Sequence, residues 1–345
     1  MKICKKYLAV FFFSSIFIAS PFLCLAQTAQ YNFEKIFYLA RYNIVSGVDS
    51  LSKNWDKIDI IAPQMYVVNP NFTVTGGFGP KLKQLIKDHN LKVMPLVANA
   101  GFNQITIHKF LTSTDGQNNV INFLVATAKS QKYIGWQFDF EHISYLDKDL
   151  FTAFIQRAYP VFQKNDLVLS VAVISRTSDY EDTDAFKNWG GAYDYQKIAD
   201  SSDFVTLMAY DDANSKGPSA SIDFVNNALS YLKDKVPPQK LSLGVPLYSW
   251  VWSQTADKKI GACSYKNILS VEANNRCNLG FDQNFGVSWI DYSVKNKEYK
   301  IWVEDKQSLE QKLNIAKNNN LRGFSAWLLG AEDPAIWSIF DKNIK

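Results

Sequence analysis

From residue 33 onward, short apolar runs rich in β-branched and aromatic residues alternate with longer stretches of helical period. Eight runs read as strands: 35–41 (KIFYLAR), 58–66 (IDIIAPQMY), 92–98 (KVMPLVA), 134–141 (IGWQFDFE), 167–173 (LVLSVAV), 203–211 (DFVTLMAYD), 241–248 (LSLGVPLY) and 323–329 (GFSAWLL). The stretches between them carry apolar stripes, for instance Leu82, Leu85 and Ile86 in 81–89, and Leu150, Phe154, Ile155 and Ala158 in 149–163. This alternation predicts successive βα units on a parallel sheet. Eight strands close a barrel, so the expected fold is α/β, a (β/α)8 TIM barrel. The closing segment EDPAIWSIF predicts a docked helix, with Asp333 as N-cap and Pro334 at the first helical position. One connection is too long for a simple loop. From 253 to 304 the chain turns aromatic and polar, which predicts a small α+β insertion between the seventh and eighth strands.

Composition narrows the class. A chain of 345 residues with 47% hydrophobic and 20% charged residues is globular, with a sizeable core. Its length accommodates one barrel, which typically takes about 250 residues before insertions. The formal net charge of +4 is mild and no Lys/Arg block stands beyond the first few residues, so nucleic acid is not an expected partner. At the N-terminus, Lys2, Lys5 and Lys6 precede an apolar run, Pro21 and a small-residue site ending at Ala26. Residues 1–26 are therefore expected to be a secretory signal, leaving a mature domain over 27–345 that is secreted or periplasmic. The alternative is an uncleaved anchor, since 7–26 just reaches the roughly 20 residues that cross a bilayer. After cleavage no stable membrane association is expected, and a monomer is expected. Two cysteines remain, Cys263 and Cys277, which an oxidising compartment would pair as a disulfide; two buried thiols are the alternative. The histidines are His89, His108 and His142, none in a cluster with metal-ligand spacing, so neither metal nor cofactor is expected.

The fourth run raises the chemical question. Alternation sends Gly135, Gln137, Asp139 and Glu141 to one face and Ile134, Trp136, Phe138 and Phe140 to the other. With the aromatics against the helices, the polar set points into the barrel and climbs to the C-terminal rim, where such barrels place their chemistry. Inward neighbours on one strand lie about 6.6 Å apart, so the carboxyls of Asp139 and Glu141 can touch. Two acids that close do not both ionise freely, and one that keeps its proton is a general acid. A purely structural polar network is the competing reading. It fits poorly, because burying two acids and an amide costs several kcal/mol unless each finds partners. Tyr210 and Asp211 at the end of the sixth run, with Asp212 just after it, converge on the same rim.

These motifs resemble glycoside hydrolase family 18, which contains chitinases, endo-β-N-acetylglucosaminidases and peptidoglycan-trimming enzymes. Against that family's D-G-x-D-x-D-x-E strand, this chain keeps Gly135, Asp139 and Glu141, with Ile134 and Gln137 in place of the first two acids. Met208, Ala209, Tyr210 and Asp211 match M-x-Y-D, LGVPLYSWVW is similar to L-G-x-P-x-Y, and GFSAWLLGAEDPAIW resembles the closing strand with its active-site Trp, here Trp327. The resemblance covers nearly the whole mature chain. It implies retaining hydrolysis in which the substrate's own acetamido oxygen attacks, an exception to the two-carboxylate rule of glycosidases. On that resemblance Glu141 is the general acid/base, Asp139 orients the acetamido group, Tyr210 bonds its oxygen, and Gln137, Met208, Asp211 and Trp327 contact substrate. Gln64, Met65 and Tyr66 at the end of the second run, Asn99 after the third, and Trp250 and Trp252 after the seventh are further candidates for sugar contact, with packing as the alternative for each. Gln137 is expected to donate to Asp139 and so to couple to Glu141. The implied partner is a glycan containing N-acetylglucosamine, with chitin or chito-oligosaccharides as the first expectation. Peptidoglycan and N-glycan cores are alternatives, as is a sugar-binding chitolectin without turnover.

Overall fold

The computed structural model describes residues 33–213 and 215–341; the expected export signal at 1–26 lies outside them. Eight parallel strands close on themselves: β1 (Glu34–Ala40), β2 (Ile60–Val68), β3 (Leu96–Asn99), β4 (Gly135–Asp139), β5 (Val168–Ile174), β6 (Phe204–Met208), β7 (Leu241–Pro246) and β8 (Gly323–Trp327). Each pairs with its sequence neighbour, and β1 pairs with both β2 and β8. The expected (β/α)8 barrel is therefore the fold. A short strand, Val74–Gly76, extends β2 as an antiparallel hairpin.

The two faces of the strands differ as the alternation requires. Phe138 and Phe140 pack outward with Phe154, whose helix spans Lys148–Lys164, and Trp136 donates its indole N–H to the Leu124 carbonyl at 2.9 Å. Inside the barrel, Ile36, Tyr38, Ile60, Ala62, Met94, Leu96 and Phe204 form the floor. Ile134, expected on the outer face, packs against this floor cluster instead, because it precedes the first residue of β4 and is not bound by the strand's alternation. Gly135 then has a steric reason: a Cβ there would stand 1.9 Å from the Val168 carbonyl oxygen of β5.

The last segment is a 3-10 helix over Pro334–Phe340, tighter than the helix expected. Asp333 caps it through a bond from the Ala335 N–H at 2.9 Å, and Trp337 stacks on Phe37. The insertion starts slightly earlier than expected. Its antiparallel sheet runs, in spatial order, Lys258–Cys263, Ser249–Ser253, Lys297–Val303, Val287–Val294 and Cys277–Asp282, with the helix Tyr265–Asn274 packed on it through Ile268. The pairing expected of Cys263 and Cys277 is not formed, and both thiols are free. They stand on the two outermost strands of this sheet, and both pack against the cluster of Ile268, Ile290, Ile301 and Val303. The chain returns to the barrel through a buried ion pair, Lys312 to Glu304 at 2.8 Å.

Candidate active site

The strands deliver their C-terminal residues to a cavity of about 790 Å³ whose wall includes Asp139, Glu141, Met208, Tyr210, Asp211 and Trp327. Asp139 is the last residue of β4 and is buried, whereas Glu141 lies two residues past the strand end. An amide from the next strand holds Glu141 in place. Asn99 of β3 donates its N–H to the Glu141 carbonyl and accepts the Glu141 backbone N–H, both at 3.0 Å. The preceding carbonyl, of Phe140, accepts the Tyr193 hydroxyl at 2.8 Å. The general-acid candidate thus sits on backbone as fixed as a strand.

Electrostatics separate the two carboxyls. Burial raises both above the ordinary carboxylate range. For Asp139 this is opposed by bonds that favour its ionised form, one from Gln64 at 2.8 Å and one from the Glu141 carboxyl. For Glu141 the other influences reinforce burial: the charge of Asp139, the hydrogen bond shared with it, and the charge of Asp211 push its pKa well up. Glu141 is the member that keeps the proton. Tyr210 is also held neutral, chiefly by burial and further by its charged neighbours, so its phenol is a donor at the cavity wall. Asp211 is pinned from the other side. Its Oδ1 accepts the hydroxyls of Tyr248 and Ser219 and the Trp250 indole N–H, the last at 3.2 Å.

Six residues named from sequence do not line this cavity: Met65 packs in the outer core, Trp252 donates to the Gly217 carbonyl at 2.9 Å, and the other four each have a physical reason. Gln137 is fully buried one layer below; its oxygen accepts the Tyr38 hydroxyl at 2.7 Å, and its N–H₂ donates to Ser170 at 2.9 Å and Thr206 at 3.0 Å. With both ends of its amide taken, Gln137 does not bond Asp139, and the coupling expected of it falls to Gln64. Asn99 spends its amide on the Glu141 backbone. Tyr66 is turned outward, bonding Tyr133 at 2.9 Å and packing edge-on against Trp136. The register of β2 on β3 shifts between Gln64 and Tyr66, and this irregularity breaks the alternation that would have set both inward. Trp250 lies in an adjoining cavity of about 640 Å³, which shares Tyr42, Asp211 and Trp327 with the first.

Other cavity residues lacked a clear sequence signal. Gln64, a candidate from its place at the end of the second run, does line the cavity, but Trp189 comes from an irregular segment and stacks on His142 with ring centroids 4.8 Å apart. Among the described residues, no three His, Cys, Asp or Glu side chains converge as a metal site.

A carboxyl kept protonated at the C-terminal rim of a (β/α)8 barrel, above an acid that ionises before it, is equipped to protonate a leaving oxygen. Residues 30–332 match the family described as glycosyl hydrolases family 18. The chain belongs to that family. As a family 18 glycoside hydrolase it is 24% identical over 313 residues to an uncharacterized glycosylase, YvbX, of Bacillus subtilis, covering 87% of this chain and 89% of that one. It is 25% identical over 266 residues to the cortical fragment-lytic enzyme of the same organism, covering 74% of this chain and 61% of the relative's length. The crystal structure of the spore cortex-lytic enzyme SleL of Bacillus megaterium superposes with a TM-score of 0.80 at 24% identity, over 91% of this chain and 74% of that one. That likeness is one of fold.

Proposed function

We propose that this family 18 enzyme is an exported N-acetylglucosaminidase that cleaves peptidoglycan-type glycan strands by substrate-assisted, retaining hydrolysis. The observation that carries the chemistry is the Asp139–Glu141 pair, with burial and two neighbouring negative charges keeping the proton on Glu141. The acetamido oxygen of the bound N-acetylglucosamine attacks its own anomeric carbon while Glu141 gives its proton to the departing glycosidic oxygen. Asp139 accepts the acetamido N–H, and Tyr210 donates to the acetyl oxygen. Trp327 is the apolar floor under the ring. Ionised Glu141 then takes a proton from water as that water opens the cyclic intermediate, and the original configuration returns.

The choice of polymer rests on the relatives. A cortical fragment-lytic enzyme and a cortex-lytic enzyme are among the proteins this chain is similar to, which favours a cell-wall glycan over the chitin first expected. Export through residues 1–26 fits that choice. The test is to offer muramyl glycan strands, chitin oligomers and a high-mannose glycopeptide to the purified enzyme and read the products by mass spectrometry. Fragments of the muramyl strands with N-acetylglucosamine at the new reducing end support the proposal. Cleavage after muramic acid alone, or efficient cleavage of fully deacetylated strands, overturns it.

A further inference from the structure

The second cavity has a polarity of its own. It opens where the insertion meets the barrel, and it shares Trp327 and Asp211 with the catalytic cavity but not Glu141. A leaving group must touch the general acid. The second cavity therefore takes the sugar unit on the other side of Trp327, joined to the anomeric-carbon donor and retained with it. Its single carboxylate, Asp211, already accepts Tyr248, Trp250 and Ser219. Lys259 and Asn267 bring donors to it. Lys259, on the strand Lys258–Cys263, has its ammonium 3.5 Å from the centre of the Trp250 ring, and among the described residues it has no carboxylate partner. A cation–π contact fixes the position of an ammonium without cancelling its charge. Asp257, two positions away, is paired with Lys216 at 2.6 Å. Asn267, which also lines the cavity, commits its oxygen to Ser264 at 2.7 Å, so what it has left to offer is the N–H₂.

We propose that Lys259 is a specificity-determining residue that selects an acidic sugar, a hexosamine carrying a carboxylate such as the 3-O-lactyl group of muramic acid, in the unit next to the one held over Trp327. This rests on the peptidoglycan reading above and sharpens it: N-acetylglucosamine over Trp327 puts muramic acid in the second cavity of an alternating strand. A neutral chitin chain offers Lys259 nothing to pair with.

The experiment measures binding by calorimetry with the Glu141→Gln enzyme, so that the glycan is not consumed. The ligands are a muramyl tetrasaccharide and the same tetrasaccharide with its lactyl carboxylates reduced to alcohols. The carboxylate form is expected to bind about tenfold more tightly, the scale of one charge-assisted hydrogen bond. That ratio should fall to about one when Lys259→Gln is added, persist with Lys259→Arg, and shrink as salt is raised. Equal affinity for the two ligands with Lys259 present, or an unchanged ratio in Lys259→Gln, overturns the role of Lys259 while leaving the proposed function standing. Failure to bind either ligand, with chitin oligomers bound, overturns both.

Discussion

Midway up the barrel, Gln137 meets Tyr38, Ser170 and Thr206, and Thr206 in turn reaches Ser325, which contacts Ser242 at 2.7 Å. One step higher stand Asp139, at the end of the same strand, and Glu141 just beyond it. The lower layer is neutral, buried and closed: each hydroxyl and each end of the amide has a partner inside the protein. The upper layer is charged and open to a cavity, and its acids are held away from their ordinary ionisation. Both layers are polar groups pointing into one barrel, so pointing inward does not distinguish a site from a brace. The distinction lies in whether the group's hydrogen-bonding capacity is used up by the fold.

The largest effect should come from the upper layer. Glu141→Gln is expected to lower hydrolysis of N-acetylglucosamine-containing strands by about 10²–10⁴-fold, measured by release of reducing ends, with sugar binding kept. The same change bears on stability. Because the folded-state pKa of Glu141 is raised, its contribution to stability is fully present below the ordinary carboxylate range and is lost as pH rises through the raised value. The Gln variant should therefore melt at a higher temperature than wild type near neutral pH, with the gap closing in acid. A variant that keeps near-normal turnover would erase the contrast between the layers.

Next in size is Asp139→Asn, expected to cost on the order of 10²-fold in kcat through loss of charge beside the developing cation. It should also move the falling limb of the pH–rate profile to lower pH. Glu141 is active while protonated, and the charge of Asp139 is, after burial, the main reason that proton is retained. An unmoved limb would show that Asp139 does not set the ionisation of its neighbour.

The smallest effect on rate belongs to the lower layer. Gln137→Met removes the partners of Tyr38 and Ser170 and one of those of Thr206, and should cost roughly 2–4 kcal/mol of stability in a denaturant titration. The limbs of the pH–rate profile should stay in place. A shifted limb would return Gln137 to the catalytic layer that its spacing first suggested.

Why the two layers looked alike in sequence is instructive. Alternation correctly separates Gln137 and Asp139 from Trp136 and Phe138, and the count of apolar runs gives the closed barrel. It carries no information on how a side chain's bonds are filled, so Gln137 and Asn99 read as sugar contacts when the fold occupies both. Asp139, Glu141, Tyr210 and Asp211 were legible because a polar group at the end of a barrel strand has few other uses, whereas Trp327 was reached only through the family resemblance. The residues contributed by irregular backbone, such as Trp189, have no periodicity to betray them. Cys263 and Cys277 misled for a related reason: fourteen positions apart in the chain, they are carried to opposite edges of a sheet whose strand order the sequence does not display.

The irregularity in β2 gives one residue unusual leverage over descent and redesign. Where a strand keeps strict alternation, a point substitution can change only the group it replaces. Here Met65 and Tyr66 both pack in the outer core, so loss of Met65 would restore alternation with Gln64 still turned inward and Tyr66 still held against Tyr133 and Trp136. A lineage carrying that deletion would straighten the strand at the cost of the place of Met65 in the core, with neither side chain reversed. Selection can therefore tune the bond from Gln64 to Asp139 by substitution and remove the irregularity by deletion, two separate changes at adjacent positions.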